Sequence, residues 1–264
     1  MAAPASVIPD DHALAARLAT EAGRLLVDLR ARRVAEAGDA GPAGVDGRAL
    51  GDEGDRRAHE LLVAALAEAR PDDAVLSEEG VADPARLTAQ RVWIVDPLDG
   101  TREYGEVPRD DWAVHVALVV GGVPAAGAVA LPARGLTLAT DPAPPPPPAH
   151  DGPPRVVVSR SRPPVEAGWV ADALGGALVT LGSAGAKAMA VVLGDVDVYP
   201  HSGGQYEWDS AAPVAVAAAA GLHVSRLDGS PLVYNRPDPY LPDLLVCRPE
   251  LAEAAIAAAR GPAS

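Results

Sequence analysis

Phenylalanine is absent from this 264-residue sequence, and aromatic residues make up only 3% of it. The apolar share is still an ordinary 48%, so the core must be built from Ala, Val and Leu. Lysine is nearly absent too: of 22 basic residues, Lys187 alone is a lysine. With the abundant Ala, Gly, Pro and Arg, this reads as a coding bias of the source and not as a fold signal. A single cysteine, Cys247, excludes an internal disulfide and fits a reducing cytoplasm. Flanked by apolar residues, it reads as a buried small hydrophobe. No charge-free run of about 18 apolar residues is present, so no membrane span is expected. The N-terminal MAAPASVIPDD has no basic segment followed by an apolar run, so no signal peptide is expected. The net charge is −14, with no basic stripe, which argues against nucleic acid or anionic membranes as partners. An acidic chain still binds an anionic substrate where metal ions lie between the two.

What is present alternates between helix-like and strand-like segments. Residues 1–9 read as a disordered leader. Asp10 or Asp11 is placed to cap a helix from about His12 to Arg33, with Leu14, Leu18, Leu25 and Leu29 on one face. Ala35–Gly51, rich in Gly and Asp, reads as a loop, and a second helix spans roughly Gly54–Arg70. Ala74–Leu76 is a short strand ending in Ser77-Glu78-Glu79-Gly80. Arg91–Val95 is a buried strand that runs into Asp96-Pro97-Leu98-Asp99-Gly100-Thr101. Trp112–Val120 and Pro124–Leu131 pair through Gly121-Gly122. The consecutive prolines Pro144–Pro148 cannot donate ladder hydrogen bonds; they predict an exposed, extended spacer rather than a docking motif. Beyond them come strands at Arg155–Ser159, Ala177–Leu181, Val196–Tyr199, Gly221–Arg226 and Leu244–Cys247. Helices are expected at Pro164–Leu174, around Ala186–Leu193, at Ser210–Ala220 and from about Glu250. This alternation predicts a layered α/β architecture. The chain divides into an N-terminal α+β part (1–140) with the acidic loops, a Pro-rich loop (141–154) and a C-terminal α/β part (155–264). There is no internal repeat.

Carboxylates recur at the ends of these elements: Glu78-Glu79, Asp96 with Asp99, and Asp209. Each has a plain reading. Paired Glu residues are usually solvated, Asp-Pro and Asp-Gly form turns, and Asp209 suits the cap of an Ala-rich helix. Asp96 and Asp99 say more, because they lie just beyond a buried strand, where α/β sites sit. Pro97 cannot continue the ladder, and a turn there can aim two carboxylates and the Leu98 carbonyl at one point. Hard cations such as Mg²⁺ take oxygen ligands of this kind. The amides of Gly100 and Thr101 then face a phosphate as a helix N-terminus does. Metal and amides together meet the needs of phosphoryl transfer.

The segments Trp93-Ile94-Val95-Asp96-Pro97-Leu98-Asp99-Gly100-Thr101 and Trp208-Asp209-Ser210-Ala211-Ala212, with the upstream Glu78-Glu79, resemble the signature of the inositol monophosphatase superfamily. The resemblance covers about residues 12–260. It is most similar to the CysQ-type 3′(2′),5′-bisphosphate nucleotidases of actinobacteria. The segments 51–56, 99–104, 109–115, 182–187 and 203–210 carry that likeness. The resemblance implies the layered α-β-α-β-α sandwich of the inositol monophosphatase and fructose-1,6-bisphosphatase type. It implies two to three Mg²⁺ ions. Glu78, Asp96 and the Leu98 carbonyl would hold one, and Asp96, Asp99 and Asp209 a second. A third would lie between Asp55 and Glu78. Asp55 and Thr101 would activate the attacking water, and the Gly100 and Thr101 amides would bind the phosphate. The chain departs from the family at Asp52-Glu53-Gly54-Asp55, where a Thr is usual. It departs again at His201, where many relatives have Arg.

Several other residues carry two readings. Lys187, after Gly182-Ser183-Ala184-Gly185-Ala186, either contacts a phosphate or ribose or lies on a helix surface. Ser183 belongs to the same turn and is expected beside the substrate. Arg102 either answers a distal phosphate or pairs with Glu103 or Asp99. His115 reads as a hydrogen-bonded core histidine. His201 stands between a strand and Asp209, where it could face the substrate. The leading expectation is hydrolysis of the 3′-phosphate of 3′-phosphoadenosine 5′-phosphate in sulfate assimilation, by a cytoplasmic enzyme acting on a small phosphorylated metabolite. Inositol 1-phosphate or fructose 1,6-bisphosphate is the alternative substrate. A non-catalytic metal- or nucleotide-binding regulator is the alternative of another class, and the presence of every expected carboxylate speaks against it. A homodimer is common among members of the family.

Overall fold

The computed structural model describes residues 8–148 and 150–261, so most of the expected leader lies outside the described residues. Helix α1 (Pro9–Glu36) starts after Ile8, with proline in its first turn. Neither Asp10 nor Asp11 is therefore its cap. Asp11 lies inside the first turn, where it accepts the Ile8 amide at 2.9 Å and is fully buried. It also takes Arg70 at 2.9 Å and Arg91 at 3.1 Å. One buried carboxylate thus closes the helix start and binds it to the two segments that follow.

Helix α2 (Gly47–Ala69) begins inside the segment expected to be a loop. The Asp46 side chain caps it by accepting the Arg48 and Ala49 amides. Glycines early in a helix, here Gly47 and Gly51, oppose it on propensity alone. Their presence has a tertiary cause: a Cβ on Gly51 would lie 2.6 Å from the Thr101 methyl. Bare backbone lets α2 lie against α3 (Thr101–Gly105).

The first sheet has the order β1 (Ala74–Ser77), β2 (Arg91–Asp99), β3 (Ala113–Val120), β4 (Val123–Leu131), β5 (Leu136–Ala139). Strands β1 and β2 are parallel and the rest antiparallel. β5 has no counterpart in the sequence expectation. The second sheet uses β6 (Arg155–Ser159), β7 (Ala177–Leu181), β8 (Val198–Tyr206), β9 (His223–Ser225) and β10 (Tyr240–Cys247), in the order β7-β6-β8-β10-β9. β8 and β10 run longer than their apolar cores predict. Their outer halves contain Gly203, Gly204 and Pro242, residues that weaken a strand signal, and the ladder slips between Leu241 and Asp243.

Burial shows the layering. Val92 and Ile94 of β2 join one apolar cluster, while Trp93 and Val95 join another, so β2 is buried on both faces. Helices α1 and α2 cover the outer face of the first sheet. Helices α5 (Ala184–Leu193) and α6 (Glu207–Ala219) fill the space between the sheets, against Leu244 and Val246 of β10. Helices α4 (Val165–Leu174) and α7 (Ala252–Ala259) cover the far face of the second sheet, against Leu245 and Cys247. The result is the α-β-α-β-α sandwich. Cys247 is buried in that last layer, as expected. The Pro144–Pro148 segment is not free: Arg248 donates to the Pro148 carbonyl at 2.5 Å. Pro144 and Pro147 are half-buried while Pro145 and Pro146 are exposed, the three-residue period of a polyproline helix lying on a surface.

Candidate active site

Strand β2 carries the site because its ladder breaks there. Asp96 pairs with His115 and Asp99 with Ala113, so three steps on β2 face two on β3. This is a one-residue bulge, and Pro97 explains it, since it has no amide to donate. Inside the bulge the Asp96 carboxylate accepts the Leu98 amide at 3.1 Å, and the Thr101 hydroxyl donates to the Leu98 carbonyl at 3.2 Å. The third acid arrives from α6. Asp209 is not its N-cap; that position is Tyr206, whose amide donates to Asp209 at 2.6 Å from within the first turn. Oxygens of Asp96, Asp99 and Asp209 lie within 4.8 Å of one another.

Asp99 is held by the start of α5. Its carboxylate accepts the Ala184 amide at 3.1 Å and the Gly185 amide at 2.5 Å. Gly185 is required for this approach, because a Cβ there would fall 2.1 Å from His115 Nε2. His115 is fully buried; its Nδ1 lies 3.0 Å from the Trp208 carbonyl and its Nε2 3.3 Å from Asp99. It is the hydrogen-bonded core histidine expected, yet it also touches the acidic cluster, which sequence reasoning missed. The signal was the strand register that sets it opposite Asp96.

The carboxyls titrate unusually. Burial pushes Asp96 well above the usual range, helped by Glu78 and the neighbouring Asp residues. Burial, then the charge of Asp99, pushes Asp209 up to about 7. Glu78 leaves much of its side chain in solvent, but its carboxyl end is desolvated and shares a hydrogen bond with Asp96; it also rises to about 7. Asp55, on the buried face of α2, is lifted to about 7 by burial and by Glu79, against a hydrogen bond from Thr101. Asp99 moves the other way: burial opposes its ionisation, but His115, Lys187 and the Gly185 amide outweigh it.

Next to the acids lies a cavity of about 290 Å³. Gly100, Thr101, Arg102, Ser183, Lys187 and His201 all line it, with Asp99 and Asp209. Asp55, Glu78, Asp96 and Leu98 do not line it; Asp55 and the Leu98 carbonyl are linked to the lining residue Thr101, and Glu78 to Asp96. Ser183 caps α5, accepting the Ala186 amide at 3.0 Å. Lys187 is not on a helix surface. It is 3% exposed, donates to the Gly182 and Ser183 carbonyls and sits 5.4 Å from the Tyr199 ring centre. Burial lowers it to about 8. Arg102 pairs with neither Glu103 nor Asp99; Glu103 is taken by Arg160 at 2.7 Å. Arg162 also lines the cavity and was not singled out from sequence, where nothing distinguishes it from a surface residue; Gln205 lines it too, and was quoted in the segment 203–210 without a role.

The arrangement has counterparts of known name. The model of the inositol monophosphatase family matches residues 11–141 and 157–261. The chain is 52% identical over 254 residues to the 3′-phosphoadenosine 5′-phosphate phosphatase of Mycobacterium leprae, covering 92% of this chain and 90% of that one. It is 35% identical over 211 residues to the 3′(2′),5′-bisphosphate nucleotidase CysQ of Escherichia coli K12, covering 71% and 80%. The crystal structure of CysQ from Bacteroides thetaiotaomicron matches with a TM-score of 0.71 at 28% identity, over 90% of this chain and 97% of that one. On sequence and on fold, the chain belongs to the inositol monophosphatase family.

Proposed function

We propose that the protein hydrolyses the 3′-phosphate of 3′-phosphoadenosine 5′-phosphate to AMP and phosphate, with Mg²⁺, in sulfate assimilation in the cytoplasm. The observation that carries this reading is the convergence of Asp96, Asp99 and Asp209 within 4.8 Å beside a cavity that also holds Lys187. The name of the mycobacterial relative supports the nucleotide as substrate.

The donor set fits the metal. Oxygens on opposite sides of one Mg²⁺ stand about 4.2 Å apart, twice a bond of about 2.1 Å, so acids this close suit such an ion. Buried carboxylates that raise one another's pKa also need a cation before all can ionise. Glu78, Asp96 and the Leu98 carbonyl would hold one ion, Asp96, Asp99 and Asp209 a second, and Asp55 with Glu78 a third. Bound there, Mg²⁺ would neutralise the phosphate oxygens and make a water acidic enough to attack.

The chain's own groups do the rest. The Gly100 and Thr101 amides orient the scissile phosphate at the cavity floor. Asp55 accepts the proton of the attacking water at its carboxylate, beside the Thr101 hydroxyl. The water oxygen bonds to phosphorus as the bond to the ribose 3′-oxygen breaks; that oxygen takes a proton from solvent water and leaves as the 3′-hydroxyl, and Asp55 gives its own proton back to solvent. Lys187 adds a fixed positive charge on the cavity wall, and Ser183, Arg102 and His201 face the remainder of the substrate. The test is phosphate release from 3′-phosphoadenosine 5′-phosphate, inositol 1-phosphate and fructose 1,6-bisphosphate, each with Mg²⁺ and with EDTA. Mg²⁺-dependent release strongest on the nucleotide is expected. Release strongest on inositol or sugar phosphate keeps the chemistry and overturns the substrate.

A further inference from the structure

The cavity has a second cationic end, and the chemistry above gives its Arg162 no role. Arg162, on the loop between β6 and α4, and Arg102, on α3, both line it and both are solvent-exposed. Among the described residues neither guanidinium meets a carboxylate, in a chain with 36 acidic and 22 basic residues. Arg160 on the same loop shows the ordinary fate: it is engaged by Glu103 at 2.7 Å and by Glu106 at 2.9 Å. Arg162 instead extends over the bare lip of the cavity, its Nη1 3.8 Å from where a Cβ on Gly204 would lie.

Between this mouth and Lys187 the wall is polar, buried and unsatisfied. Gln205 is 3% exposed and donates to the Tyr199 hydroxyl at 2.9 Å, but its Oε1 has no partner. His201 is 9% exposed, and its ring nitrogens make no well-formed hydrogen bond, with the Gly203 backbone alongside. Burial lowers it to about 4, and Lys187 and Arg162 add to that, so it is a neutral ring between two cations. Buried polar groups without partners point to a ligand that supplies them. The sequence of cation, neutral polar wall and cation matches a molecule with two anionic groups joined by a polar spacer.

We propose that Arg162, with Arg102 from α3, forms a second anion subsite at the mouth of the cavity, and that Arg162 makes the enzyme prefer a bisphosphorylated nucleotide to a monophosphorylated one. The inference rests on the nucleotide reading above and adds to it the residue that counts the phosphates. Arginine suits this task because its planar fork binds a phosphate bidentately.

The experiment measures kcat/KM for 3′-phosphoadenosine 5′-phosphate and for adenosine 3′-monophosphate, in the unsubstituted enzyme, R162Q and R162K. The readout is the ratio of the two values, which a general loss of structure does not move. The unsubstituted enzyme favours the bisphosphate. A charge-assisted hydrogen bond to phosphate supports a fall in that ratio of about 10- to 100-fold in R162Q, with R162K recovering part of it. A ratio unchanged in R162Q, or equal kcat/KM for the two nucleotides in the unsubstituted enzyme, overturns the subsite and leaves the phosphatase reading standing. No release from either nucleotide overturns the nucleotide reading and the subsite with it.

Discussion

Metal removal and pH act on the same carboxylates, and the sign of their combined effect on stability follows from the structure. Asp55 and Asp209 stand at about 7 in the metal-free fold, against 3.8 for an ordinary Asp. Between those values the folded chain holds protons that the unfolded chain has released. The stability these groups contribute is therefore complete below about pH 4 and is lost as pH rises through about 7. A rise of about 3 units in one Asp corresponds to at most ~4 kcal/mol. The acids repel one another and titrate as a set, so about 2–4 kcal/mol serves for the whole cluster. His115, raised by Asp99 against the effect of its burial, adds to the loss in the same direction. Asp99, lowered, contributes stability that is already complete above the usual carboxylate range, so it does not change between about pH 5.5 and about pH 8. For a chain of this size about 2–4 °C of Tm accompanies each kcal/mol. In EDTA, Tm should thus fall by about 5–15 °C between about pH 5.5 and about pH 8. Mg²⁺ held as proposed would bind the ionised acids, so its stabilisation should grow with pH and reach about 2.7 kcal/mol at a concentration 100-fold above Kd. Thermal melts at both pH values, with EDTA and with Mg²⁺, give a difference of differences that isolates the cluster from the rest of the protein. A shift caused by Mg²⁺ that is equal at both pH values, or a Tm in EDTA that rises with pH, would refute the argument.

Other expectations are as direct. Asp96→Asn removes the ligand that the two proposed ions would share without removing a hydrogen-bond acceptor for Leu98, so turnover should fall by at least about 1000-fold while circular dichroism stays native; near-normal turnover rejects the role of Asp96. Gly51→Ala places a methyl 2.6 Å from the Thr101 side chain, so stability should drop by about 1–3 kcal/mol and kcat with it; an unchanged melt would mean that α2 and α3 are not in contact. Arg86→Ala leaves Asn235 and the Arg236 carbonyl without the buried donor that ties them to Arg86, and about 2–4 kcal/mol should be lost in denaturant titration. Cys247 is fully buried and its thiol is pushed up to about 12, so a thiol reagent should label the protein only after denaturant is added.

Legibility in the sequence followed how local each feature was. The apolar run Arg91–Val95 ending in Asp96-Pro97-Leu98-Asp99 was readable because strand, bulge and turn lie within a few residues. The start of α2 was not, because Gly47 and Gly51 look like helix breakers until α3 is seen packed on them. The same holds for the outer half of β8, whose glycines sit in an irregularity of the ladder with β10, a strand some forty residues away along the chain. Among side chains, Asp99 was legible from its turn, but its two amide donors come from α5 and its His115 neighbour from β3. Arg162 carried no signal at all. Its position over Gly204 depends on where the loop between β6 and α4 meets the outer half of β8.

That dependence explains why a site of this kind needs both halves of the chain. Strand β2 from the first sheet ends at Asp99, and α5 and α6 from the second half begin at Ala184 and Glu207. The carboxyl end of one strand and the amino ends of two helices therefore meet at one level of the sandwich, where ligands of α/β sheets bind. The amides of α5 hold Asp99, and the first turn of α6 holds Asp209. His115 joins the two, lying against Asp99 on one side and the Trp208 carbonyl on the other. A shift of either half would separate Asp99 from Asp209 before it disturbed any single layer of the core. The acids are spaced by the packing of α5 and α6 between the sheets, so substitutions in that middle layer, far from the cavity, should weaken metal affinity before they unfold the protein.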